Sequence, residues 1–148
     1  MHSDGLAMIG VLAIPSRPGT AGKILSQMGS SNINVQFIVQ LVDKDGHDHV
    51  VFCVERKDLD TALDVLTSSQ DEVSAQDVVH DASVGLVSIF GPDFRQRPGV
   101  AGEMFAALGQ ADVNIQAIST SISTISCVIQ AAAVPDAVKT LQDTFDMP

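Results

Sequence analysis

The chain has 148 residues, with 18 acidic against 8 basic side chains, a formal net charge of −10, no Trp or Tyr, and 6 Phe. Such an acidic chain lacks the basic face that nucleic acid or an anionic membrane demands, and it has too few aromatics for a base-stacking platform. That length accommodates one average domain or two small ones.

Leu6–Ile14 is a continuous apolar run that stops at Pro15, and it reads as a central strand buried on both faces. It is too short to span a bilayer, and it follows Asp4 rather than a basic segment, so it does not read as a signal peptide. Pro18 and Gly19 break the chain. A helix should follow, because Ala21, Ile24, Leu25 and Met28 form one apolar stripe. Gly29 is its expected C-terminal residue. From Asn34 to Val42 the period becomes two, with Val35, Phe37, Val39 and Leu41 on one face and Gln36, Ile38, Gln40 and Val42 on the other. Asp43-Lys44-Asp45-Gly46 is a turn signal, and His49–Glu55 is the return strand. Asp58 is the expected N-cap of a helix with the stripe Leu59, Ala62, Leu63 and Leu66. Val73–His80 reads as a weaker edge strand.

The order then recurs. Val84–Phe90 is a strand, and Gly99–Ala107 opens a helix with the stripe Ala101, Met104, Phe105 and Leu108. Asn114–Thr120 and Ile125–Gln130 form a hairpin, and Pro135 and Asp136 suit the first turn of a last helix carrying Val134, Val138, Leu141 and Phe145. The recurrence is an internal duplication. Arg17-Pro18-Gly19-Thr20-Ala21-Gly22 and Arg97-Pro98-Gly99-Val100-Ala101-Gly102 lie 80 positions apart, as do Asn34 and Asn114, Gln36 and Gln116, and Gly29 and Gly109. The expected domains are residues 1–80 and 81–148, closely coupled through Asp81–Ser83. The first copy reads β-α-β-β-α-β, and the second lacks its own last strand. Right-handed crossovers put both helices of a copy on one face of its sheet. The fold class is therefore α+β: two ferredoxin-like units (βαββαβ), antiparallel sheets with helices on one face. Leu6–Ile14 and Val84–Phe90 are apolar on both faces while the helices cover one, so a homodimer is expected.

Few motifs carry chemistry. Gly19-Thr20-Ala21-Gly22-Lys23 lacks the first glycine of a phosphate loop, since Arg17 stands there, and Ile24 replaces the Ser or Thr that should follow the lysine. Gly22 and Gly102 instead read as sites where a helix approaches the sheet. Asp43, Asp45, His47, Asp48 and His49 crowd one turn, but their spacing fits no calcium loop and the second copy has no such cluster, so no metal is expected. His2, His47, His49 and His80 fall in termini, turns or edges, away from the serines of Ser119–Ser126, and no catalytic constellation or cofactor site emerges. Cys53 and Cys127 read as buried free thiols of a cytoplasmic protein. What remains is the duplicated stretch. A helix start after Pro-Gly offers free N–H groups to a carboxylate, with Asn34, Gln36 and Gln40 standing across from it.

At these residues the sequence resembles the ACT-domain regulatory modules, specifically the tandem pair of aspartate kinases. The first copy carries Pro18-Gly19-Thr20-Ala21 and Ile33-Asn34-Val35-Gln36, with Gln40 four residues on; the second carries Pro98-Gly99-Val100-Ala101, Val113-Asn114-Ile115 and Ile118-Ser119-Thr120-Ser121…Ile125-Ser126. The resemblance implies two ACT domains that bind a small amino acid, or a related carboxylate, at an interface between ACT domains. It implies a first site at Gly19, Thr20, Ala21, Asn34, Val35, Gln36 and Gln40, and an equivalent second cleft at Gly99, Val100, Ala101, Asn114, Ile115 and Gln116, with Ser121. The controlled partner would be an amino-acid biosynthetic enzyme such as aspartate kinase, and the chain alone should have no kinase activity. Where the family carries acids, this chain has Ser16, Gln36, Gln116 and Ile122. With Gln36 in place of an acid, weak affinity for lysine and threonine, or a different ligand, is expected. The family's regulatory segment also opens with an additional short strand, which this chain is expected to lack, in keeping with the missing strand of the second copy. The competing reading is an assembly module that binds no ligand and uses its sheets to dimerise or to dock an enzyme.

Overall fold

The computed structural model describes residues 2–69, 74–91 and 98–145. These form six strands and four helices in the order β1 (His2–Pro15), α1 (Thr20–Ser30), β2 (Phe37–Val42), β3 (His47–Glu55), α2 (Leu59–Ser68), β4 (Asp77–Phe90), α3 (Val100–Gln110), β5 (Ile115–Thr120), β6 (Thr124–Gln130) and α4 (Val134–Phe145). Short 3-10 turns, Arg56–Asp58 and Ala131–Ala133, lead into α2 and α4. The fold is α+β, ferredoxin-like in each half, with antiparallel sheets. The chain divides into two compact units, one of Leu6–Ala82 and one of Ser83–Pro148 with Met1–Gly5.

In the first unit the strand order is β2-β3-β1-β4. β1 runs antiparallel to β3, with Ile9 opposite Phe52 and Val11 opposite Val50, and β2 pairs with β3 from Phe37–Cys53 to Val42–Asp48. β4 supplies the last strand: the Gln76 N–H donates to the Leu12 carbonyl at 3.1 Å, and Gly10 lies against Val79. α1 and α2 pack side by side. They bury Ile24, Met28, Leu59, Ala62 and Leu66 against Ile9, Val11, Val50, Phe52 and Val54.

The second unit repeats this with β4-β6-β5, Val87 opposite Cys127 and Ile118 opposite Cys127 across the central strand. α3 and α4 bury Met104, Leu108, Val134, Ala137 and Leu141 against Val87, Ile89, Ile125, Cys127 and Ile129. The first residues of β1 lie beside β4 here, with Ser3 and Asp4 against Gly85, so these residues fill the fourth strand position. The expectation that the chain lacks the opening strand is therefore wrong: His2-Ser3-Asp4-Gly5 is polar and shows no strand period, and pairing with β4 orders it.

Several expectations change in detail. Asp77–Phe90 is one uninterrupted strand, so the Asp81–Ser83 joint is strand rather than linker; Val73, the expected start of a strand, lies outside the described residues. α1 runs through Gly29 to Ser30, and the left-handed residue after it is Asn32, with φ 57°, as Asp112 is after α3, with φ 62°. Asp58 is the N-cap residue of α2 as expected, but it sits in the 3-10 turn and makes no side-chain cap hydrogen bond. The buried stripe of α1 is Thr20, Ile24 and Met28, and that of α3 is Val100, Met104 and Leu108, while Ala21, Leu25, Ala101 and Phe105 are only half-buried.

The close approaches fall at other glycines than expected. Gly22 and Gly102 are exposed, and a methyl group added at either would meet nothing within 4 Å. Gly85 is the tight position: a Cβ there would run into the Val134 side chain and come within 2.9 Å of the Ser3 carbonyl oxygen. Overpacking costs about 1–3 kcal/mol, whereas Gly→Ala in an open helix position gains about 0.5–1 kcal/mol. Gly85→Ala is therefore expected to lower the urea midpoint of the chain and Gly22→Ala to raise it. Two equal shifts would show that close packing at Gly85 is not real.

Candidate functional site

The break after β1 turns on Gly19. Its φ of 91° is left-handed, a conformation that costs a side chain about 1–2 kcal/mol, and Gly99 repeats it at 95°. Gly19 is the N-cap of α1 and has no side chain to cap with, and the helix closes its first bond from Lys23 N–H to the Gly19 carbonyl at 3.0 Å. The N–H groups of Thr20, Ala21 and Gly22 precede that bond and point out of the positive end of the helix. The Thr20 hydroxyl is already engaged, donating to the Arg17 carbonyl at 3.0 Å.

Strands β2 and β3 close the other side. Val42 pairs with Asp48 and Gln40 with Val50, and Val50 belongs to the core beneath the helices, so Gln40, Val42 and Asp48 share the helix-side face. A pocket of about 400 Å³ results, lined by residues 16–22, Gln40, Val42 and Asp48. Asp48 is 2% exposed, and its Oδ1 has no hydrogen-bond partner among the described residues.

The hairpin behind the pocket is held by Asp43. Its Oδ1 accepts from the N–H groups of Asp45 at 2.9 Å and His47 at 3.0 Å, and its Oδ2 lies 2.8 Å from His49 Nε2. The Ala13 N–H donates to His49 Nδ1 at 3.2 Å, which makes Nδ1 the unprotonated nitrogen and Nε2 the donor to Asp43. Ala13 has a left-handed φ of 56° where the pairing of β1 slips between Val11 and Ile14, so the imidazole ties that irregular turn to the hairpin. Among the described residues no cluster of three His, Cys, Asp or Glu side chains could hold a metal ion.

Of the residues named from sequence for the first site, Gly19, Thr20, Ala21 and Gln40 line this pocket. Asn34, Val35 and Gln36 do not; they precede β2, where the Gln36 N–H donates to the Cys53 carbonyl at 2.9 Å. In the second unit Gly99 caps α3, Val100 is buried beneath it and Ala101 follows, while Asn114, Ile115 and Gln116 enter β5. Ser121 sits in the next turn, where its N–H donates to the Thr124 carbonyl at 2.7 Å. Arg97 lies outside the described residues. Sequence reasoning grouped Asp48 with the turn cluster and overlooked its place in the pocket. The available signal was an acid two positions before Val50, on the same strand face as the apolar Val50, Phe52 and Val54.

Other reactive groups are engaged or quenched. Burial pushes the Cys53 thiol up to about 12 and the Cys127 thiol to about 11, which keeps both protonated and unreactive. The Ser126 hydroxyl lies 2.7 Å from that of Ser88 on the neighbouring strand.

A family model for the ACT domain matches residues 87–145. A chain from a crystal structure of aspartokinase alpha and beta subunits is 32% identical, with a TM-score of 0.90, over 99% of this chain and 97% of that one. The chain belongs to the ACT-domain family. It resembles aspartate kinase regulatory subunits over both units. The ligand-free regulatory subunit of aspartate kinase from Thermus thermophilus is 28% identical, with a TM-score of 0.87, and 95% of it is covered. Aspartate kinase from Pseudomonas fluorescens (strain SBW25) is 38% identical over 141 residues, which are 95% of this ACT chain and 34% of that enzyme. The ACT chain thus spans about a third of the length of the curated relatives it matches. Among the described residues no helix is long and apolar enough to cross a membrane.

The Asp43 turn sets a pH dependence. The hydrogen bond from His49, followed by the N–H groups of the turn, holds the Asp43 carboxyl at about 2, below its ordinary 3.8. A depressed carboxyl stabilises the fold above its unfolded value and loses that contribution as pH falls through the folded one. Thermal melts should therefore show wild type ahead of Asp43→Asn at neutral pH, with the gap closing between about pH 4 and pH 2. A gap that stays constant over that range would remove the turn from the account.

Proposed function

We propose that this chain is a non-catalytic regulatory module that binds a small amino acid or related carboxylate and passes the signal to an amino-acid biosynthetic enzyme such as an aspartate kinase polypeptide. The observation that carries the reading is the pocket, where three N–H groups at a helix start face Gln40 and Asp48 across about 400 Å³. That is room for a small ligand with an acidic end. The likeness to aspartate kinase regulatory subunits over nearly their whole length supports a role in controlling an enzyme. The buried free thiols fit a reducing cytoplasm.

In this reading the ligand carboxylate meets the backbone at Gly19, Thr20 and Ala21, with Gln40 beside it. Asn34, Val35 and Gln36 lead into β2 and belong to the wall that a second copy of the chain would complete. Gly99, Val100 and Ala101 with Asn114, Ile115, Gln116 and Ser121 form a secondary site. The second copy is proposed because β2 and β5 are the outermost strands of their units and expose apolar side chains at equivalent positions, Ile38 and Ile118, with Val42 on β2 matched by Ile122 just beyond β5. An exposed apolar edge calls for a partner.

The test is a thermal-shift screen of the twenty standard L-amino acids. Saturable stabilisation is expected, reaching about 2.7 kcal/mol when a ligand is at a hundred times its dissociation constant. A flat screen would overturn ligand binding and favour the assembly reading, which the same exposed edges support. Sedimentation should show a dimer at micromolar concentration that Ile38→Asp converts to monomer. A monomeric wild type would remove the dimer.

A further inference from the structure

We propose that Asp48 is the specificity-determining residue of the pocket: its carboxylate receives the ammonium group of an amino acid whose own carboxylate rests on the start of α1. This deepens the reading above and rests on it. Asp48 is 2% exposed on the helix-side face of β3, between Ile14 on β1 and Val42 on β2. Asp48 lines the pocket, its buried Oδ1 has no hydrogen-bond partner among the described residues, and neither Asp48 nor Arg17 enters an ion pair among them. A buried carboxylate oxygen without a donor is costly, and a bound cation carrying N–H donors relieves it.

The fold itself does not need an acid there. Helix residues Leu59, Ala62 and Leu66 recur 75 positions later as Val134, Ala137 and Leu141, and the same offset brings Asp48 to Ser123, an exposed residue of the turn before β6. The second unit reaches its strand β6 through a shorter turn and places no acid there. The two ends of the pocket are therefore opposite in sign, N–H groups at the helix start and a carboxylate at the strand end, which selects a zwitterion over a simple anion. It also supplies the acid that the sequence lacks at Gln36.

The test uses the whole chain and paired probes that differ by their ammonium groups: L-alanine and propionate, L-threonine and 3-hydroxybutyrate, L-lysine and hexanoate. Calorimetry and thermal shift are run on wild type and Asp48→Asn, with the twenty standard L-amino acids as a wider panel. Wild type should bind an amino acid and ignore its desamino partner. Asp48→Asn should bind that amino acid roughly tenfold to a hundredfold more weakly, the range for losing a charged hydrogen bond. Equal affinity in the two proteins would overturn the role of Asp48 while leaving amino-acid binding intact. Desamino probes that match their amino acids on wild type would overturn it without needing the variant to fold. No amino acid binding to wild type would overturn the parent reading and this one together. Stabilisation of wild type by potassium chloride over choline chloride, lost in Asp48→Asn, would assign the oxygen to a metal ion and overturn the proposal.

Discussion

Each half of this protein depends on a left-handed glycine that turns the chain from a central strand into a helix. Gly19 and Gly99 hold φ of 91° and 95°, which an L side chain resists. The turn lets the next residue drop into the core: Thr20 in one copy, Val100 in the other, each followed at four-residue steps by Ile24 and Met28 or Met104 and Leu108. The same turn leaves the helix start uncapped by any side chain, so its N–H groups open onto the sheet edge. Packing and binding potential come from one backbone constraint.

The two copies diverge where function should differ. From Arg17 to Gln40 the second copy follows 80 positions behind; after the hairpin the offset is 75, as Leu59 and Val134 show. The first copy's longer turn carries Asp43, His47 and His49, and Asp43 accepts hydrogen bonds across it. That turn also carries the chain to Asp48 in the pocket lining, whereas the second copy passes through the shorter turn Ser121–Thr124, closed by the Ser121 N–H donating to the Thr124 carbonyl at 2.7 Å. Duplication preserved the scaffold, and one polar hairpin distinguishes the halves.

Central strands buried on both faces leave the outer strands to meet solvent. Leu41 and Val42 on β2 are 55% and 57% exposed, and Ile122 beyond β5 is 52% exposed. Sheet edges elsewhere are commonly covered or charged, so apolar side chains exposed there mark a surface rather than a core. An ACT pair built this way offers a pocket and an edge strand on the same hairpin, since Gln40 and Val42 line the one and belong to the other.

The sequence alone determined the duplication, the four helices with the hairpin between each pair, and the turns at Gly19 and Gly99, because these rest on short-range periodicity and backbone chemistry that each residue carries locally. It also picked out Gly19, Thr20, Ala21 and Gln40, since a helix start and an isolated polar residue in an apolar strand are legible in one dimension. Tertiary structure decided the rest. Polar residues 2–5 become strand only because β4 offers them a partner, and Gly85 rather than Gly22 is the close contact because Val134 lies above it. Asp48 joins the pocket, and Asn34 to Gln36 do not, because strand register decides which side chains share a face beneath α1, and register is a pairing between distant segments that no single stretch encodes.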